Sequence, residues 1–175
     1  MKISHNLSSR IDEGIYEKLV SLANTKGISM NSLVNSILKH YVIWDQFTQE
    51  MGLVPLTKRT LKKIFRAMDD KTIKKIAHEV GGRVPQELIY LSYDKFDFVD
   101  IMKMIEISDS RFGIIRSHQN DSVHSINIIH GICENFSKFL IETHQTLANK
   151  LELKFHVEHM DDNMVCIDFQ NSKKS

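Results

Sequence analysis

The chain has 175 residues, 42% of them hydrophobic and 26% charged, and a formal net charge of +1. That composition excludes a disordered chain, and the length suits one moderate domain or two small ones. No apolar run approaches the roughly 18 residues that cross a bilayer, the N-terminus has no signal-peptide core, and Cys133 and Cys166 stand without a CxxC pair. A cytoplasmic protein with reduced thiols and no membrane partner is expected.

The first fifty residues set the organisation. In Asn6-Leu7-Ser8-Ser9-Arg10-Ile11 the side chains alternate, so Leu7, Ser9 and Ile11 share one face of a short strand and Asn6, Ser8 and Arg10 share the other. A lone strand of this length leaves its hydrogen-bonding edges unpaired, and no second strand follows nearby. Asp12 is an N-cap, and Ile15, Leu19, Leu22 and Ala23 recur at helical spacing down to Gly27. Ser29 caps a second helix with an apolar stripe of Leu33, Val34, Ile37, Leu38, Tyr41 and Val42, which extends toward Trp44 and Phe47. The simplest partner for the strand is the same strand of a second chain.

From Lys2 to Tyr41 this order resembles the ribbon-helix-helix transcription factors (Arc, MetJ and CopG-like proteins), on the strand, Ile15-Tyr16-Glu17-Lys18-Leu19, Gly27-Ile28-Ser29 and the spacing that follows. The resemblance implies a homodimer whose two-stranded ribbon enters the major groove of double-stranded DNA, and a tetramer is the alternative oligomeric state. By position, Asn6, Ser8 and Arg10 would contact bases, which suits their chemistry, since Arg pairs with guanine and Asn with adenine. Ser29, Met30 and Asn31, at the positive end of the second helix, would clamp a phosphate. The module's own charges balance, Lys2, Arg10, Lys18, Lys26 and Lys39 against Asp12, Glu13, Glu17, Asp45 and Glu50.

Gly52 and Pro55 break the pattern, which places a linker at 51–56 between a DNA-binding domain at 1–50 and a second domain at 57–169. Thr57 caps a helix carrying Lys58, Arg59, Lys62, Lys63 and Arg66, and Asp69 or Asp70 caps another carrying Lys71, Lys74 and Lys75. This is the most basic stretch of the chain, and Lys58, Arg59 and Lys62 are candidate phosphate contacts; the alternative is the solvated face of two amphipathic helices. Gly81-Gly82 is read as the end of this unit, Pro85 as the start of a short helix, and Phe98 to Ile105 as another. Alternation then predicts a hairpin (114–130, turning at Asn120-Asp121), a long helix after Gly131, a second hairpin (151–169) and a disordered tail from Gln170 to Ser175. The predicted class is α+β, a helical segment followed by a β-β-α-β-β antiparallel sheet.

Histidines concentrate in the last sixty residues, and strand, Gly131 and helix bear a partial resemblance to the regulatory domain of the NikR-type nickel-responsive regulators. A transition metal would then be held by His118, His124, His130 and Cys133, but the spacing lacks a His-x-His pair, and alternation puts His124 and His130 on a buried face with His156 on a wet one. No P-loop, GxGxxG, HExxH or GxSxG is present, so no enzyme and no cofactor are expected. The preferred reading is a homodimeric, sequence-specific DNA-binding regulator whose second domain senses a small-molecule or metal effector or sets the oligomeric state. The alternatives are an antitoxin with a toxin-binding C-terminal region and a metal-responsive regulator.

Overall fold

Local capping fixes the first two helices. The computed structural model describes residues 5, 7–43, 45–47, 52, 54–92, 98–120 and 122–171, with the backbone path alone at 43, 47 and 84–92. The chain divides into two units, 1–46 and 47–175. In the first, α1 (Glu13–Lys26) begins where the Asp12 carboxylate accepts the Gly14 N–H at 2.9 Å. It ends at Gly27, whose φ of 64° suits glycine, with Gly27 N–H donating to Asn24 O and Ile28 N–H to Ala23 O, each at 3.1 Å, the bond pair of a Schellman stop. Ser29 Oγ accepts the Ser32 N–H at 3.1 Å and opens α2 (Met30–Ile43). A 3₁₀ turn at Asp45–Phe47 follows, so the helix ends before Phe47; Trp44 lies outside the described residues.

Two expectations for this unit change. Leu7 to Asp12 form no strand, because a single chain gives the segment nothing to pair with, and Leu7 is 78% exposed. Asn6 lies outside the described residues. The predicted apolar stripe of α2 is also mostly uncovered: Leu33 is buried, whereas Ile37, Leu38, Tyr41 and Val42 are exposed.

The second unit is α+β. It comprises α3 (Lys58–Arg66), α4 (Asp70–Ser92), α5 (Phe98–Asp109), β1 (Ile114–Asn120), β2 (Val123–Ile129), α6 (Glu134–Lys150), β3 (Leu153–Met160) and β4 (Met164–Asn171). The strands form one antiparallel sheet in the order β1-β2-β4-β3, so α6 carries the chain from β2 past the position of β4 to β3. Cross-strand partners share a face: Ile126 with Ile167, Ile128 with Val165 and His124 with Phe169, all buried. On this face α6 lays Phe136, Leu140 and Leu147. Phe136 is the hub, its ring centroid 5.0 Å from Phe65 of α3, 5.1 Å from Phe112 and 5.1 Å from His130.

Three sequence expectations are corrected here. Gly81-Gly82 does not end a helix and Pro85 does not start one; α4 runs through both to Ser92. The glycines serve close packing instead, since a Cβ at Gly81 would lie 2.3 Å from the Thr143 carbonyl of α6. The last strand continues to Asn171, whose N–H donates to Ser122 O at 3.1 Å, so Gln170 and Asn171 belong to the sheet; residues 172–175 lie outside the described residues, as does Asp121 of the first turn.

Candidate nucleic-acid interface

In the first unit the described base-contact candidates, Ser8 and Arg10, are both exposed on the segment ahead of α1. Ser29 and Asn31 are exposed and Met30 is half-buried. Ser29 Oγ takes the Ser32 N–H, and the first backbone bond of α2 is Leu33 N–H to Ser29 O at 3.0 Å, so the N–H groups of Met30 and Asn31 precede it at the open end of the helix. That end can accept an anion.

In the second unit Thr57 Oγ1 accepts the Thr60 N–H at 3.2 Å, which starts α3 so that Lys58 and Arg59 occupy its first turn, both exposed; Lys62, one turn on, is half-buried. Asn135 at the start of α6 donates its Nδ2 to the carbonyls of Phe65 (2.9 Å) and Met68 (3.1 Å), satisfying the C-terminal end of α3. Together with the Phe65 ring this fixes how α3 rests on α6.

The four metal candidates are not brought together. His118 is exposed on β1, on the sheet face opposite His124, because its cross-strand partner is Ser125. His124 and His130 are buried on the covered face, and Cys133 is buried at the N-terminus of α6. Each buried histidine is taken up by a neighbour. His124 Nε2 lies 2.7 Å from Glu106 Oε1 of α5, and its Nδ1 is buried without a hydrogen-bond partner. His130 Nδ1 accepts the Ile132 N–H at 3.0 Å, which leaves Nε2–H to donate to Ser137 Oγ at 2.9 Å; Ser137 then donates to Asp161 O at 2.5 Å. This is a neutral imidazole, and burial pushes its pKa down to about 4. Among the described residues no group of three or more His, Cys, Asp or Glu is arranged to hold a metal ion.

At the His130-Gly131 junction the backbone N–H groups are taken up by the chain itself. His130 N–H and Gly131 N–H both donate to Asn163 O at 2.9 Å, which docks the β3–β4 turn against the start of α6. Within that turn Asp161 accepts from His159 and from the N–H groups of Asn163 and Met164, and these hold its carboxyl at about 2.

Sequence reasoning missed the buried pair His144–Asp109, 2.9 Å apart between α6 and α5. His144 Nδ1 faces the Leu140 carbonyl at 2.7 Å and Nε2 faces the carboxylate, so both nitrogens meet acceptors and the ring holds two protons. Burial alone would lower its pKa, but the Asp109 charge and the hydrogen bonds to Asp109 and Leu140 leave it raised. His144 lies one turn after the buried Leu140 on α6, but nothing in the sequence points to a partner 35 positions earlier.

No family model and no curated protein matches the chain. Among solved structures, the solution structure of the IWP-051-bound H-NOX from Shewanella woodyi in the Fe(II)CO ligation state aligns with 99% of this chain and 78% of that one, at 11% identity and a TM-score of 0.28. A likeness of that size carries no argument about fold or function. Among the described residues, no helix is long and apolar enough to cross a membrane.

Proposed function

We propose that the protein is a sequence-specific DNA-binding regulator that acts as a homodimer, with residues 6–11 of two chains paired as a ribbon in the major groove. The observation that carries this reading is the imbalance in the first unit. Ala23 and Leu33 are its buried apolar residues among those described, while Ile15, Leu22, Ile37, Leu38, Tyr41 and Val42 stand in solvent. A unit of this size cannot hold itself together on two buried side chains and needs a partner surface. A second copy supplies it, and pairing Leu7 to Ile11 across the two copies also satisfies the backbone groups that the single chain leaves unpaired.

The ordered caps at Asp12, Gly27 and Ser29 support a helix pair with a set angle, and the exposed Ser8 and Arg10 suit base contact once the ribbon forms. The folded core of the second unit favours a regulatory or oligomerising domain over the extended toxin-binding arm of an antitoxin.

The test is selection from a pool of random duplexes with mass analysis of the same sample. Enrichment of a short palindrome by a dimer is the expected result, and Arg10→Ala should then weaken binding by about 1–3 kcal/mol and relax sequence choice. A monomer, or a dimer whose selected duplexes share no sequence, would remove the ribbon reading.

A further inference from the structure

The α3 helix carries Arg59, Lys62, Lys63 and Arg66 at i, i+3, i+4 and i+7, which is one continuous helix face. Phe65 on the other side is buried against Phe136 and Phe139. The stripe is therefore wholly cationic, with Arg59, Lys63 and Arg66 exposed and Lys62 half-buried. Among the described residues none of the four has an acidic partner within ion-pair distance.

The neighbouring helix shows what a structural charge stripe looks like in this protein. On α4, Lys74 and His78 both reach Glu142 of α6, at 3.4 and 3.1 Å, and Asp70 at its start holds Lys138 at 3.0 Å. Those charges tie two helices together. The α3 stripe does nothing comparable and works against its own helix. Lys63 and Arg66 lie in the last turn, where the helix dipole favours cations, but Arg59–Lys63 and Lys62–Arg66 are like-charge pairs at i,i+4, and Lys58 and Arg59 put cations in the first turn, where the dipole favours acids. A short helix arranged against its own stability, on a rigid support, is arranged for something outside the chain.

We infer that the α3 stripe is a binding surface for the phosphate backbone of double-stranded nucleic acid. Its four cations lie within the eight residues 59–66, about 10 Å of helix axis, and so present a line of charge to a linear polyanion rather than a convergent cup to one phosphate. A membrane surface is disfavoured because Phe65, the largest apolar side chain of α3, is occupied by Phe136 and Phe139, which leaves Ile64, 38% exposed, as the helix's exposed large apolar residue. A protein partner is disfavoured because no apolar residue interrupts the cationic stripe to form an interface core. The inference rests on α3 alone and holds whether or not the first unit reads sequence.

The test uses the full chain, a random-sequence 30-base-pair duplex and a salt titration. Arg59→Glu/Lys62→Glu turns both repulsive pairs into Glu-to-Lys and Glu-to-Arg pairs in the favourable order and places an acid in the first turn. The variant should be more stable than the parent, by about 2 °C in Tm, while its affinity for the random duplex at low salt falls at least about tenfold and the salt slope drops by about 2. Lys103→Glu/Lys154→Glu, with the same change in net charge elsewhere on the surface, should lose much less. The inference is overturned if the parent does not retain the duplex, if the two double variants lose affinity equally, or if vesicles containing phosphatidylserine are retained in place of the duplex. Arg10→Ala run in parallel separates the two sites: loss in Arg10→Ala with α3 variants unaffected places all binding on the ribbon and also overturns it.

Discussion

Two buried histidines of the second unit respond to pH in opposite senses. His130 is neutral in the fold and is pushed down to about 4 from an ordinary 6.5, so the unfolded chain binds more protons between those values. Its contribution is complete above pH 6.5 and is lost as pH falls toward 4, amounting to about 3 kcal/mol. His144 has a raised value; its contribution is complete below 6.5 and is lost as pH rises through that raised folded value. Stability measured by urea unfolding from pH 4 to 9 should decline on both sides, and Ser137→Ala, which leaves His130 Nε2–H without its acceptor, should cost about 1–3 kcal/mol near neutrality. The His144–Asp109 pair lends itself to a cycle of variants. His144→Leu leaves a buried carboxylate alone and should cost about 3–5 kcal/mol, whereas His144→Leu/Asp109→Leu should regain most of that and abolish the alkaline decline. A double variant as unstable as the single one would show that the loss came from packing and not from an unpaired charge.

At the scale of the element, adjacent glycines in α4 give opposite predictions. A Cβ at Gly81 meets the Thr143 carbonyl at 2.3 Å, which is backbone of α6 and cannot step aside, so Gly81→Ala should destabilise by about 2 kcal/mol despite its better helix propensity. At Gly82 the nearest atom is the Lys150 ammonium nitrogen at 3.4 Å, the end of a flexible side chain, so Gly82→Ala should stabilise by about 0.5–1 kcal/mol. Equal effects in thermal unfolding would refute the packing account. The same residues mark how far the sequence could be read. Caps were legible because a cap is a local bond: Asp12, Gly27, Ser29 and Thr57 each act within a few positions of themselves. Strand faces were legible because alternation is local too, and it placed His124 and His130 inside and His156 outside. Gly81-Gly82 was misread because its reason lies in a helix sixty residues away, and helix-breaking was the only local meaning the pair had. For the candidate interface, the basic stretch was visible as composition. That Lys74 of α4 pairs with Glu142, while the α3 stripe has no acidic partner among the described residues, depends on where α6 packs, which no local pattern encodes.

For the whole molecule, the two units differ in what they need in order to stay folded. The second has a closed core of its own, with Phe136, Phe169, Ile126 and Ile167 at 1% exposure or less. The first leaves most of its apolar stripe in water, so its stability is tied to association, and association depends on protein concentration. Thermal unfolding of the full chain at two concentrations a hundredfold apart should therefore show one transition that moves and one that does not. Leu38 makes the point at a single position. It is 42% exposed in the single chain, where a substitution such as Leu38→Glu should change stability by no more than about 0.5 kcal/mol. If a second copy covers it, the same substitution places a charge in an apolar interface, and the moving transition should fall or vanish while the fixed one stays within error. Size-exclusion mass analysis of the variant should then give a monomer whose second unit keeps its melting temperature. If Leu38→Glu instead leaves both transitions and the mass unchanged, α2 does not form the dimer seam. The ribbon would then have no helices behind it, and sequence reading by Arg10 would lose its scaffold.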